Sequence, residues 1–185
     1  MSYVQTQVSA HLTPARKPIN KGRLATGIAM IAFPILAIFI YASHPNLWSL
    51  EPVHTVDAWI AEWHGNSLLH FSHVLMLLCV PLLIAISVEL MTMLRGKGRR
   101  YGFVGGILAI VGAVFLAADK GALCLVTSAF DTLPAAEFQQ IYPAIAAMKG
   151  MQGWLWMVYG LVLLPIGFII MGIGFYRTAT LPRWQ

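Results

Sequence analysis

Four long apolar runs, Leu24–Ser43, Ser67–Leu94, Gly102–Phe130 and Gly153–Tyr176, are separated by short polar connections along this chain. Each is long enough for the roughly 20 helical residues that a hydrocarbon core requires. Open sheet edges stay unsatisfied in lipid, and the alternation of a membrane barrel is missing, so the runs predict helices. The expected fold is an all-α integral membrane protein: an antiparallel bundle of four transmembrane helices, with short interfacial helices on the outer face and both termini cytoplasmic. This divides the chain into a polar tail (1–23), a membrane domain (24–178) and a C-terminal tail (179–185). The polar tail precedes the first run, and Tyr41-Ala42-Ser43-His44 is a poor cleavage site, so that run is expected to be a retained span.

The two longer connections carry helical patterns of their own. Val53, Val56, Ile60 and Trp63 recur at helical spacing, and Phe138, Ile141, Ile145 and Met148 do so after Asp131-Thr132-Leu133-Pro134. The first pattern predicts a helix lying at the membrane surface, with Trp48, Trp59 and Trp63 at headgroup level. The second predicts a similar helix that Pro143 bends or divides. The connection RGKGRRY is short and Gly-rich, making spans two and three neighbours. Pro34, Pro81 and Pro165 each predict a kink or loosening within a span.

Composition agrees with the pattern. Hydrophobic residues make up 58% and charged residues 10%, against about 25% charged in soluble domains. Ten of the 12 Lys and Arg cluster at Arg16–Arg23, at Arg95–Arg100, and at Arg177 and Arg183, while the other connections hold Glu51, Asp57, Glu62, Asp131 and Glu137. By the positive-inside rule the basic connection and both termini face the cytoplasm, as in a multi-pass protein of a bacterial inner membrane. The net charge of +5 is thus a topology signal. Basic residues that hug membrane ends fit anionic headgroups, and nucleic acid is not an expected partner.

Several residues could carry chemistry. His70 and His73 lie three apart at the start of span two, with His44, His54 and His64 nearby in sequence. A neutral imidazole suits haem iron, a chlorin magnesium or a metal, so His70 and His73 are candidate cofactor ligands; bonds to water, headgroups or backbone are the alternative. Spans three and four hold no histidine, unlike four-helix cytochromes with paired ligands. Asp119 and Lys120 are charges inside span three, and adjacent helical positions do not face each other, so separate partners are expected. They suit either a substrate, quinone or proton site or a pair of interhelical bonds. Glu89 is expected to pair with Arg95 or Arg99. Gly105, Ala109, Ala113, Ala117 and Gly121 form a small-residue stripe, with Gly102 and Gly106 as a second pair, which predicts close helix packing. Cys79 and Cys124 match no CxxC pattern, and the methionines fit packing as well as copper. No metalloprotease, phosphate-loop, dinucleotide or nucleophile-elbow motif is present, and nothing supplies a nucleophile beside a base.

The stretches "ADKGAL", "GWLWMVYGLVLLPIGF" and "YRTATLPRW" resemble uncharacterised bacterial multi-span membrane proteins. In those, the last stretch resembles a cytoplasmic link into a further helix, which leaves a further C-terminal span open here. The resemblance implies no activity and no site. The function expected first is a non-catalytic membrane subunit that packs against a larger membrane complex or a second copy. A haem-, pigment- or metal-binding redox subunit and a small oligomeric transporter or channel are the alternatives.

Overall fold

The computed structural model describes residues 21–44 and 55–178. The expected tail up to residue 20, Trp48, Val53, His54 and the segment 179–185 lie outside these residues. Among the described residues every regular element is helical. Four stretches are long and apolar enough to cross a membrane: Leu24–Ala42, Ser67–Met93, Gly96–Phe130 and Trp156–Thr178.

Helix α1 (Lys21–Ala42) is the first span, and α2 (Val56–Trp63) precedes the second, α3 (Ser67–Met93). Local chemistry sets these ends. The Thr55 hydroxyl accepts the Ala58 N–H at 3.1 Å, and the Asn66 amide oxygen accepts the Leu69 N–H at 3.1 Å, each an N-cap that satisfies an orphan donor. Between them Gly65 adopts φ +71°, a conformation open to glycine at little cost, which makes the α2–α3 corner tight. Gly96, at φ +56°, does the same before α4 (Arg99–Ala118). The third span continues through a π-helical turn, Asp119–Cys124, into α5 (Leu125–Phe130). Helix α6 (Ala135–Gly150) follows, unbroken at Pro143. The fourth span is divided into α7 (Gln152–Leu161) and α8 (Leu163–Thr178). Pro165 has no N–H for the Leu161 carbonyl, and the helix loosens one turn ahead of it, at Val162. Helices α1 and α3 run through Pro34 and Pro81 without interruption.

The spans form a row. Helix α1 packs on α3, α3 on α4, and α4 on α7 and α8. The centre of the row depends on small residues. Ala109 and Ala113 are fully buried, and a Cβ added at Gly105 would lie 2.7 Å from the Gly167 carbonyl oxygen. A Cβ at Gly167 or Gly112 would collide with the backbone of the opposing helix, so α4 and α8 meet backbone to backbone. Gly102 and Gly106 face α3 instead, against Met91 and Leu94. The stripe of interval four is therefore not one seam. Its residues drift around the helix, so Gly105 meets α8 while Ala113 joins the core of Ile40, Met76, Val80 and Leu83. At Gly121, inside the π turn, an added Cβ would meet no described atom within 4 Å, so the expected packing contact there is not made.

Helices α2 and α6 pack on each other. Ile60, Trp63, Leu69, Phe138 and Ile145 form a small core at that end of the row. Trp63 is 3% exposed, so it is a core residue and not the headgroup anchor expected. Between α1 and the fourth span the row stays open. A cavity of about 420 Å³ lies there, lined by Phe33, Ala37 and Tyr41 of α1, Met76 and Leu83 of α3, and Phe168 of α8.

Candidate functional site

The polar residues of the membrane domain collect at the end that carries α2 and α6. Asp131, directly after α5, is the hub. Its Oδ2 lies 2.8 Å from His70 Nε2 and accepts the Gly65 N–H at 2.8 Å, and its Oδ1 bonds His64 Nδ1. The tight corner at Gly65 is what aims that N–H at the carboxylate. Burial alone would raise the Asp131 pKa. The bonds from His70, Gly65 and His64 outweigh it and hold the carboxyl below its ordinary range. One carboxylate thus ties the α2–α3 corner to the end of the third span.

On the other side of the imidazole, Ser128 Oγ stands 2.6 Å from His70 Nδ1 and 2.7 Å from the Cys124 carbonyl oxygen. A hydroxyl has one hydrogen, so two arrangements exist. With Ser128 donating to His70 Nδ1, the ring is neutral and donates from Nε2 to Asp131. With Ser128 donating to Cys124, both ring nitrogens donate and the ring carries charge. The order Ser128–His70–Asp131 supplies the nucleophile beside a base that no sequence motif announced. Ser128 lies inside α5, where the neighbouring N–H groups belong to the helix ladder and are not free to hold an oxyanion. The arrangement orients an imidazole.

His73, one turn deeper on α3, has different company. It is 6% exposed, and its Nδ1 is buried without a hydrogen-bond partner among the described residues. Its ring lies 5.3 Å from that of His44, just past the end of α1. Burial and the Lys120 ammonium both push the His44 pKa down, against a smaller upward pull from Asp119. His70 and His73 therefore do not act as a pair. Both nitrogens of His70 are engaged, so serving as an axial ligand would require breaking a bond to Asp131 or Ser128. Among the described residues no group of three His, Cys, Asp or Glu side chains is placed to hold a metal.

Asp119 and Lys120 correct the expectation of separate partners. Lys120 Nζ is 3.0 Å from Asp119 Oδ2, and the two side chains are 14% and 10% exposed. The π turn is wider than an α turn, so consecutive side chains diverge less, and the long lysine chain reaches back. Its ammonium also lies 3.6 Å from Cys124 Sγ. Single π turns inside α-helices are rare and recur at functional sites. Glu89 is half-buried at the opposite end of α3. Among the described residues no ion pair joins it to Arg95 or Arg99, and Arg95 Nε donates instead to the Thr92 carbonyl at 3.2 Å.

Sequence reasoning found the histidines and the charges of span three but missed Asp131 and Ser128 as their partners. The available signal was weak: an acid just past a span end, opposite histidines at the start of another. No protein-family model matches the chain, nor does any curated protein or solved structure.

Proposed function

We propose that this chain is a non-catalytic integral membrane subunit that docks against a membrane protein partner through the free face of α1, the first helix of its row of spans. In this reading it lies in a bacterial cytoplasmic membrane with both termini inside, as the basic Arg95–Arg100 connection supports. The observation that carries the reading is the state of α1. Only 11% of the residues in its apolar window are buried, against 39% in the third span, and its main packing is on α3. Ile31, Ile35 and Ile38 present a broad free face. Lipid exerts no hydrophobic pressure to cover such a face, so a specific partner there must be held by shape.

The polar groups support the same reading. Asp131 is satisfied by His64, His70 and Gly65, and Asp119 by Lys120. They fasten segments of the chain to one another and do not converge on a place for a reacting atom. The test is crosslinking in native membranes from Ile31→Cys and Ile38→Cys, paired with native mass in mild detergent. A crosslinked product of fixed mass containing one other membrane protein is expected. A monomer of 20.3 kDa with no crosslink from either position overturns the proposal.

A further inference from the structure

The groove between α1 and the fourth span lies one helical turn below the buried polar group. Tyr41, Met76 and Leu116 line it. One turn onward along the same three helices stand His44, His73 and Lys120. His73, Met76 and Leu83 share a face of α3, at intervals of three and seven. An apolar slot of about 420 Å³ thus lies one helical turn from an imidazole whose Nδ1 is buried and unpartnered among the described residues, with the flexible Met76 side chain of its wall next along that face of α3. A buried polar atom without a partner is costly, and a ligand bond would remove that cost. The slot falls in the size range of small-molecule sites, which are mostly apolar with a few placed polar groups.

The geometry points to a binding site for a membrane quinone or quinol, its ring head on His73 and its isoprenoid tail in the groove. Three features select this chemistry. Lys120 is already paired with Asp119, so the local charge is balanced and a carboxylate or phosphate head would meet the Asp119 anion. A neutral imidazole presents one hydrogen bond from Nδ1 and takes either tautomer, so it donates to a quinone carbonyl or accepts from a quinol hydroxyl. His73 also lies six residues past the start of α3, about 9 Å along the helix. With Ser67 set at the hydrocarbon boundary, that position lies deeper than the ester carbonyls of a phospholipid. Aromatic rings of Phe33, Tyr41 and Phe168 on the walls suit a flat head and an unsaturated tail. The site is independent of the docking role, since none of Ile31, Ile35 and Ile38 lines it.

The test uses the full chain in mild detergent and a photoreactive benzoquinone with a two-isoprene tail. Peptide mapping is expected to find the label near Tyr41 and Phe168, and excess unreactive quinone of the same tail should abolish it. His73→Leu is expected to weaken binding roughly tenfold, the value of one well-made bond, with His73→Gln losing less. Ala37→Phe, which adds bulk from a half-buried wall position, should weaken it at least as much. Label confined to peptides outside the groove overturns the site, and that mapping needs only the unaltered chain. Labelling indifferent to both His73→Leu and Ala37→Phe overturns it also. So does displacement of the probe by equimolar phosphatidylethanolamine, which would make the groove a phospholipid seat.

Discussion

Replacing Asp131 with Ala removes three bonds at once and releases the α2–α3 corner from the end of the third span. Their worth differs. The His64 bond is half in solvent, with His64 55% exposed, and exposed ion pairs contribute about 0–1 kcal/mol. The His70 bond is shielded, with side chains 16% and 8% exposed, and bonds to charged groups contribute about 1.5–3 kcal/mol. The Gly65 N–H also faces a carboxylate, but near the bundle end water replaces much of what it loses. The sum is about 2–4 kcal/mol. Thermal unfolding in mild detergent, followed by a thiol-reactive dye, reads this through Cys79, which is buried until the helices part. The pH dependence checks the cause. The folded pKa of Asp131 lies below its unfolded value. Its stabilisation is therefore complete above the unfolded carboxylate pKa and disappears as pH falls through the folded one. The gap between the two proteins should be full near neutrality and close in acid. A His70→Ala, Asp131→Ala cycle should show coupling above about 1 kcal/mol. A change below about 0.5 kcal/mol for Asp131→Ala, or additive effects in the cycle, would refute the role of the carboxylate as a hub.

Gly167→Ala should destabilise by about 1–3 kcal/mol, the usual range for overpacking, because its Cβ meets the backbone of α4; Gly121→Ala, with open space beside it, should fall within about 0.5 kcal/mol of the parent in the same melt. Lys120→Met alone strands Asp119 and should cost about 3–5 kcal/mol, whereas Asp119→Leu with Lys120→Met should be nearly neutral; equal losses for the single and double variants would show that the pair stabilises in its own right. His44 is neutral when folded and binds a proton more readily once unfolded. Its contribution therefore erodes as pH drops below its ordinary value of 6.5, and His44→Phe should flatten the stability profile on the acid side of that value.

The spans were legible because length and apolarity are properties of a run, and lipid leaves the backbone few choices. The charges of span three were legible for a related reason, since an ion there needs a partner and so stands out. What the pattern did not reveal was the partner. A uniform α-helix puts Asp119 and Lys120 about 100° apart, and only the π turn brings the lysine back to its neighbour. Nothing in "DKGALC" announces that turn, because one extra residue in a helix is a tertiary compromise. The stripe has a separate cause in helix geometry. Four-residue spacing looks like one face, but 3.6 residues per turn make it drift by about 40° at each step. Hence Gly105 packs on α8, Ala113 on the α1–α3 core, and Gly121 on no described neighbour. The fourth-span partners, Gly160 and Gly167, stand seven apart and look like ordinary glycines until what they face is seen, the Phe115 ring for Gly160 and the α4 backbone for Gly167.

The polar end follows from that turn. A π turn adds a residue without adding a full turn, so every side chain beyond it is rotated relative to a straight helix. Thr127 and Ser128 lie beyond it, and so does the hub Asp131. In the observed winding Ser128 meets His70 Nδ1 while its hydroxyl also lies against the Cys124 carbonyl inside the π turn. If the turn were rewound as regular α-helix with its residue count kept, the segment 122–131 would swing by about 100° about the helix axis. Asp131 would leave the α2–α3 corner, and Ser128 would leave His70. The π turn absorbs one surplus residue and so holds the register of the site. Deleting Gly121 removes that surplus, and a regular helix then returns the segment beyond it to the orientation it has now. The Gly121 deletion should therefore keep the Asp131-dependent stability in the thiol-dye melt. Inserting one alanine after Cys124 turns the segment by about 100° and should mimic Asp131→Ala. An insertion variant as stable as the parent would sever this link between the π turn and the histidine–carboxylate cluster.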